Sequence, residues 1–269
     1  MFVTRLLSGI VMVLAAIFLM VMGDIWLLAV LGILALIGVY ELLRVFGIEK
    51  SSLAVVAYGA TAAYYVFLYM AWPRWFLALF LLALIVMLIV YVVKYPAIRI
   101  EKVTGTLFSI LYVSVLLSFI YQTRCLQHGH WLVWLIIMGS WGSDTCAYVV
   151  GILIGKHHFS ELSPKKTIEG CIGGVVGAGL IGFIYSFFFP YYQMFHFSPL
   201  VAFPLIVMAG AIISQFGDLA ASAIKRNYEI KDYGRLIPGH GGVLDRFDSV
   251  IFVAPFVYYL LVLTSYIYI

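Results

Sequence analysis

Charge is what this chain has least of. Lys, Arg, Asp and Glu make up 10% of its 269 residues, against about 25% in an ordinary soluble domain. Hydrophobic residues fill 65%, where about 45–50% is usual. A water-soluble fold of this length cannot bury so much apolar surface, which excludes a soluble enzyme or binding domain. Cysteine is also scarce: Cys125, Cys146 and Cys171 are an odd number at unrelated spacings. They fit neither a disulfide framework nor a metal motif and are expected to be packing residues. The phosphate loop G-x-x-x-x-G-K-S/T is missing, so a P-loop nucleotide-binding protein is excluded. So are alternating strands of about ten residues, which excludes a membrane β-barrel. The net charge of +4 comes from a few polar loops and gives no reason to expect nucleic acid as a partner.

What the chain does have is continuous apolar runs of about twenty residues, long enough to cross a bilayer as helices. They predict helices over 6–22, 25–43, 53–72, 75–93, 104–122, 131–154, 171–189, 199–216 and 249–268. The expected class is all-α: a polytopic integral membrane protein with about nine transmembrane helices. It reads as a single integral membrane domain over 1–269, with helices 1–5 (roughly 1–122) as scaffold and 131–269 as the catalytic part. Turn formers punctuate the runs at Gly23-Asp24, Trp72-Pro73-Arg74, Lys94-Tyr95-Pro96 and Ser198-Pro199. Trp72, Trp75, Trp131, Tyr95, Tyr191 and Tyr192 stand near run ends, as an interfacial aromatic belt requires. A cleaved signal peptide is not expected, because no small-residue cleavage site follows the first run.

Nine spans place the N-terminus and the loops after helices 2, 4, 6 and 8 on one side. That side carries fourteen of the sixteen Lys and Arg residues, leaving only Arg74 and Arg124 opposite. The positive-inside rule makes it cytoplasmic. The polar loops 156–170 and 217–248 then face the cytoplasm and the C-terminus lies outside, as in a protein integral to the cell inner membrane.

Ser222–Asp248 holds five of the sixteen basic residues and four of the twelve acids, and charge so concentrated in a membrane protein marks a site of chemistry. Four acids stand out. Asp144 lies within the sixth run, Asp218 ends the eighth, and Asp245 and Asp248 open the ninth. An Asp at mid-helix costs roughly 2.5–3.5 kcal/mol to insert, so it should be paired, solvated or metal-bound. If 245–248 is helical, Asp245 and Asp248 share a face; if 217–226 is helical, so do Asp218, Ser222 and Lys225 or Arg226. Carboxylates gathered in a low-dielectric site repel unless a cation neutralises them, and hard oxygen ligands beside phosphates suit Mg²⁺. The alternative is ordinary loop salt bridges, Asp245 with Arg246 or Lys231 and Asp218 with Lys225.

Lys225, Arg226, Lys231 and Arg235 are candidate phosphate clamps, although positive-inside topology alone accounts for some of them. Pro238-Gly-His-Gly-Gly242 is a glycine-rich turn whose amides are suited to approach a phosphate. Its His240 is a phosphate donor, a proton carrier or a plain loop residue. Gly151 and Gly155 have the small-xxx-small spacing of close helix packing. Ser163-Pro-Lys165-Lys166-Thr-Ile-Glu-Gly170 offers two lysines and a hydroxyl to a triphosphate. His157-His158 lacks a third ligand at useful spacing for zinc.

Together these residues resemble the signature of the phosphatidate cytidylyltransferases, or CDP-diacylglycerol synthases. The match runs through Ser222, Ile224, Lys225, Arg226, Lys231, Asp232, Gly234, Ile237, Pro238, His240, Gly241, Gly242, Val243, Asp245, Arg246, Phe247 and Asp248. Upstream, Asp144-Thr-Cys-Ala-Tyr148, Gly155-Lys156 and Ser163–Gly170 are similar to a second motif of that family; the first five helices carry little of the likeness. The resemblance implies conversion of CTP and phosphatidate to CDP-diacylglycerol and pyrophosphate with a divalent metal, expected to be Mg²⁺, and leaves open a second, monovalent or divalent, cation and a homodimer. Expected on metal are Asp218, Asp245 and Asp248, with Asp144 as a further ligand or supporting acid. Lys225 and Arg226, beside Ser222, are expected on the lipid phosphate. Lys165, Lys166, Lys231, Arg235, His240, Gly241, Gly242 and Arg246 are candidates for the nucleotide phosphates. A CTP-dependent polyprenol or lipid kinase would share these acids and lysines but release CDP. An ion-coupled transporter would explain Asp144 but not the Lys-Arg and His-Gly-Gly loop. A CDP-alcohol phosphotransferase is rejected, since its Asp-Gly-x-x-Ala-Arg start is missing.

Overall fold

The computed structural model describes residues 2–160, 162–237, 239 and 241–265. Nine helices run through them: α1 Phe2–Met22, α2 Asp24–Val45, α3 Ser52–Tyr69, α4 Pro73–Val93, α5 Ile100–Cys125, α6 Gly129–Ile154, α7 Ile168–Ser186, α8 Pro199–Asn227 and α9 Leu244–Thr264. Eight of them, α2 to α9, are long and apolar enough to cross a membrane; Ser8–Met22 of α1 is a shorter apolar stretch. The protein is an all-α polytopic membrane protein, and each expected run is found as a helix, with shifted ends.

The shifted ends matter for the site. Hydropathy ends the eighth run at residue 216, but α8 continues to Asn227. Ala220, Ala221, Ala223, Lys225 and Arg226 are good helix formers, and no Gly or Pro interrupts them. At 1.5 Å per residue its 29 residues rise about 44 Å, well beyond a hydrocarbon core of about 30 Å. Asp218, Ser222 and Lys225 therefore share one face of a continuous helix. Likewise α9 opens at Leu244, five residues before the apolar run, placing Asp245 and Asp248 three residues apart at its start.

The segment 156–170, expected to be a loop, contains a hairpin. Strand β1, His158–Ser160, pairs antiparallel with β2, Ser163–Thr167, and His158 faces Thr167. The chain enters α7 directly from β2, with Thr167 as N-cap: its Oγ1 accepts the Gly170 amide at 3.1 Å. Glu169, in the first turn, reaches back to the hairpin's start. Its Oε2 accepts the amides of Lys156 and His157 at 3.1 and 3.2 Å, and its Oε1 lies 2.5 Å from His157 Nδ1.

Two compact units are distinguished by their internal packing. The first comprises the chain up to Tyr121 together with Asp232–Arg246. In it α2 buries Leu27, Leu31, Ala35, Val39 and Leu42 almost completely. Hydroxyl pairs join α3 to α5, Thr61 with Ser114 at 2.8 Å and Tyr64 with Ser118 at 2.9 Å, across a π turn at Ile110–Val115. Such pairs satisfy polar groups that a lipid-facing side chain would leave bare.

The second unit comprises Gln122–Lys231 and the chain from Phe247 on. Glycines bring its helices together. A Cβ at Gly173, Gly174 or Gly177 of α7 would strike Val150, Ala147 or Cys146 of α6 within 2.9 Å. At Gly179 and Gly182 it would meet Met208 and Val207 of α8. Gly155 and Gly170 crowd Thr167 Oγ1 in the same way, at 2.6 and 2.8 Å. The Gly151/Gly155 spacing and the Thr-x-Glu-Gly motif thus build the crossing of α6 and α7 under the hairpin.

Candidate active site

Within the second unit a cavity of about 440 Å³ lies among α6, the hairpin, α7 and α8. Asp144 and Gly151 face it from α6, Ser163, Lys166 and Thr167 from β2 and its end, Cys171 from α7, and Gln215 and Asp218 from α8. Asp144 follows directly on a π turn, Met138–Gly142, the kind of irregularity that re-aims side chains at functional positions. Gln215 ties α8 to α7, its Nε2 donating to the Cys171 carbonyl at 3.0 Å.

Lys166 Nζ stands 2.7 Å from Asp218 Oδ2, and both side chains are about three-quarters shielded from solvent. Burial works against the Lys166 ammonium, but the charge and hydrogen bond of Asp218, joined by the charge of Asp144, outweigh it. Its pKa is held above the ordinary lysine value. Asp144 lies within electrostatic reach of both Lys166 and Asp218. Asp248 feels Asp218, Lys225 and Asp144, and its Oδ1 accepts the Ser249 amide at 2.8 Å. Gly217 makes this gathering steric as well as electrostatic. A Cβ there would lie 2.8 Å from the Asp248 carbonyl oxygen, so α8 and α9 touch at the residue before Asp218.

The second unit thus collects Asp144, Lys166, Asp218, Lys225 and Asp248, three carboxylates against two ammonium groups. Lys166, from the hairpin, is an ion-pair partner of Asp218. Among the described residues no three His, Cys, Asp or Glu side chains are gathered tightly enough to hold a metal ion as they stand. The chemistry of the acids nevertheless fits a hard divalent cation: three carboxylates, with Asp218 and Asp248 half-buried and Asp144 exposed, and an excess of negative charge. Lys165 stands beside Lys166 on β2, Ser222 is half-buried on α8, and Arg226 and Lys231 are exposed.

The rest of the signature belongs to the first unit. Asp245, 7% exposed, receives on Oδ2 the amides of Tyr233 at 2.8 Å and Gly242 at 2.9 Å. The Gly242 amide, suggested by the sequence as a phosphate donor, is therefore engaged within the loop. Ile237 pairs back on Gly241, its amide donating to the Gly241 carbonyl at 2.9 Å. Gly239 and Gly241 make the tight return with φ of 76° and 89°, a region that side chains other than glycine rarely enter. Arg235 is exposed and Arg246 half-buried. Pro238 and His240 lie outside the described residues.

Sequence reasoning missed two residues of this loop's setting, both at the end of α2. Glu41 is 2% exposed, with Oε1 accepting the Val243 amide at 3.0 Å and Oε2 the Leu244 amide at 2.9 Å. Arg44 donates to the Tyr233 carbonyl. The available signal was an acid inside an apolar run, by which Asp144 had been singled out.

The profile of the cytidylyltransferase family matches residues 3–264. A phosphatidate cytidylyltransferase of Bacillus subtilis (strain 168) is 30% identical over 274 residues, covering 97% of this chain and 98% of its own length. That of Staphylococcus haemolyticus (strain JCSC1435) is 33% identical over 264 residues, covering 96% and 98%. That of a Synechocystis strain is 42% identical over 125 residues, covering 46% and 40%.

Proposed function

Since the chain belongs to the cytidylyltransferase family, we infer that it is a nucleotidyltransferase converting CTP and phosphatidate to CDP-diacylglycerol and pyrophosphate, a reaction of phospholipid biosynthesis. The observation that supports the chemistry is the gathering of Asp144, Lys166 and Asp218 around one cavity of a membrane protein, with Asp248 and Lys225 within electrostatic reach. A lipid phosphate oxygen attacks the α-phosphorus of CTP in line, a bond to that phosphorus forms, and the bond to the bridging oxygen of pyrophosphate breaks. Such transfer needs positioning and charge neutralisation more than covalent help. No general base is required, because a phosphate monoester has its second pKa near about 6.

Both reactants are anions, so the cations of the site first overcome their repulsion. Lys225 and Arg226, which continue the Asp218 and Ser222 face of α8, hold the lipid phosphate. Lys165, Lys166, Lys231, Arg235, His240 and Arg246 serve the triphosphate and the leaving pyrophosphate. Asp144, Asp218 and Asp248 would hold Mg²⁺, which would add to the neutralisation of the phosphates, while Asp245 holds its own loop through the Tyr233 and Gly242 amides. A cytoplasmic position for these loops is supported by the fourteen of sixteen basic residues that the nine-span reading puts on their side of the membrane. Each chain carries the whole set, so a homodimer would hold two such sites.

The test is pyrophosphate release by the purified, detergent-solubilised protein, given CTP and phosphatidate with and without Mg²⁺, beside Asp248→Asn. Release that requires both substrates and metal and collapses in the variant supports the reading. CDP as the nucleotide product would replace it with lipid phosphorylation by CTP.

A further inference from the structure

Glu41 belongs to α2, far in sequence from the signature, yet it is a buried acid with both oxygens held. It is 2% exposed, and both of its oxygens accept backbone amides, from Val243 and Leu244. These are the last residue before α9 and its first residue, where unpaired amides and the helix dipole favour an anion. The loop is shaped around this carboxylate. At Gly242 the three atoms nearest to an added Cβ all belong to Glu41: Oε1 at 2.3 Å, Cδ at 2.6 Å and Oε2 at 2.6 Å. At Gly234 the nearest is again Glu41 Oε1, at 2.1 Å. Two small positions of the signature are thus accounted for by the room a buried side chain of another helix needs.

We propose that Glu41 is a positioning residue for the cytidylyl transfer. It sets the loop Asp232–Val243 and the first turn of α9, and through them Arg235, Asp245 and Arg246. Its two amide bonds act at both neighbours of the turn that precedes Asp245, and Asp245 closes the same loop on the amides of Tyr233 and Gly242. Losing the carboxylate removes the two amide ties of the loop to α2, leaving the Arg44 bond to the Tyr233 carbonyl and the apolar packing of α2 in place. The proposal rests on the cytidylyltransferase reading, and wild-type turnover tests that reading separately; only the variants measured relative to wild type bear on Glu41.

The experiment compares Glu41→Gln, Glu41→Ala, Gly242→Ala and the double variant Glu41→Ala/Gly242→Ala. Turnover is expressed per folded protein, as judged by size-exclusion profile and thermal melting in detergent. Trypsin cleavage after Lys231 and Arg235, followed by mass spectrometry, reports release of the loop. Glu41→Gln is isosteric but presents an NH₂ group to one of the two amides. Its kcat is expected to fall about tenfold or more with folded yield retained, and cleavage after Arg235 to quicken. Gly242→Ala alone should cost about tenfold in kcat/KM, but in the Glu41→Ala background less than about twofold, because the atoms its Cβ would strike are gone. Folded Glu41→Gln that turns over at the wild-type rate overturns the proposal. So does a double variant whose loss equals the product of the two single losses, since Glu41 and Gly242 would then act independently.

Discussion

Lys166 and Asp218 meet at 2.7 Å, and that contact ties the β-hairpin to α8. It places a cation beside a carboxylate in a cavity that Asp144 also lines. With Asp248 and Lys225 in electrostatic reach, the second unit holds an acid cluster that is partly neutralised before any substrate enters.

Removing Lys166 should therefore damage the reaction more than the fold. If Lys166 faces the nucleotide phosphates as proposed, Lys166→Met takes away one preorganised cation, a loss that typically costs about 10²–10³-fold in kcat. Lys166→Arg, which keeps the charge, should recover part of it. Pyrophosphate release by the three proteins under equal folded concentration checks the order.

The same pair gives a pH expectation whose sign follows from the raised Lys166 pKa. A cation whose folded pKa exceeds its unfolded one contributes stability that is fully present below the unfolded value and is lost as pH rises through the folded one. The melting difference between wild type and Lys166→Met should stay constant from neutral to mildly alkaline pH. It should narrow only beyond the ordinary lysine range. A difference that vanishes near neutrality would show that the ion pair is not formed in the folded protein.

Gly170 is a site where the smallest change should be felt. A Cβ there would lie 2.8 Å from the Ala147 carbonyl oxygen, a backbone atom that cannot swing aside, and 2.8 Å from Thr167 Oγ1. Gly170→Ala is expected to cost about 1–3 kcal/mol by overpacking. Its melting temperature in detergent should fall below that of wild type, with turnover falling as the α6–α7 crossing that frames the cavity opens.

The runs and the signature were legible because each is a local pattern. Twenty apolar residues declare a span, and the order Ser222, Lys225, Arg226 through Asp245, Asp248 declares a family. The length of α8 was not, since hydropathy reports immersion in lipid and falls silent at residue 216 while helix propensity carries on to Asn227. The hairpin was hidden because its strands are short and polar, His158–Ser160 and Ser163–Thr167, with no alternation to reveal them. Glu41 escaped for a different reason. An acid close to the end of a span reads as interfacial, and its partners are the amides of Val243 and Leu244, which leave no mark in the sequence.

Metal binding can be separated from turnover. If Asp218 and Asp248 hold the divalent ion, Mn²⁺ binding followed by electron paramagnetic resonance should weaken in Asp218→Asn and in Asp248→Asn. Changes to groups that merely support metal ligands cost about 10–100-fold in affinity, so a change at a ligand should cost at least as much. Asp245, whose Oδ2 is occupied by two amides, should show the smaller loss if it acts through the loop. Unchanged Mn²⁺ affinity in both Asp218→Asn and Asp248→Asn would remove these residues from the metal assignment.

Sidedness offers the last test. On the proposed topology Lys231 and Arg235 face the cytoplasm and Arg74, in the first turn of α4, lies on the opposite face. Single cysteines are introduced at Lys231 and at Arg74 in a background where Cys125, Cys146 and Cys171 are replaced. In intact cells made permeable only in the outer membrane, a membrane-impermeant maleimide should label Arg74→Cys and spare Lys231→Cys. Lysis should expose both. Labelling of Lys231→Cys in intact cells would invert the topology, and it would place the Lys225–Arg235 cations on the face away from cytoplasmic CTP.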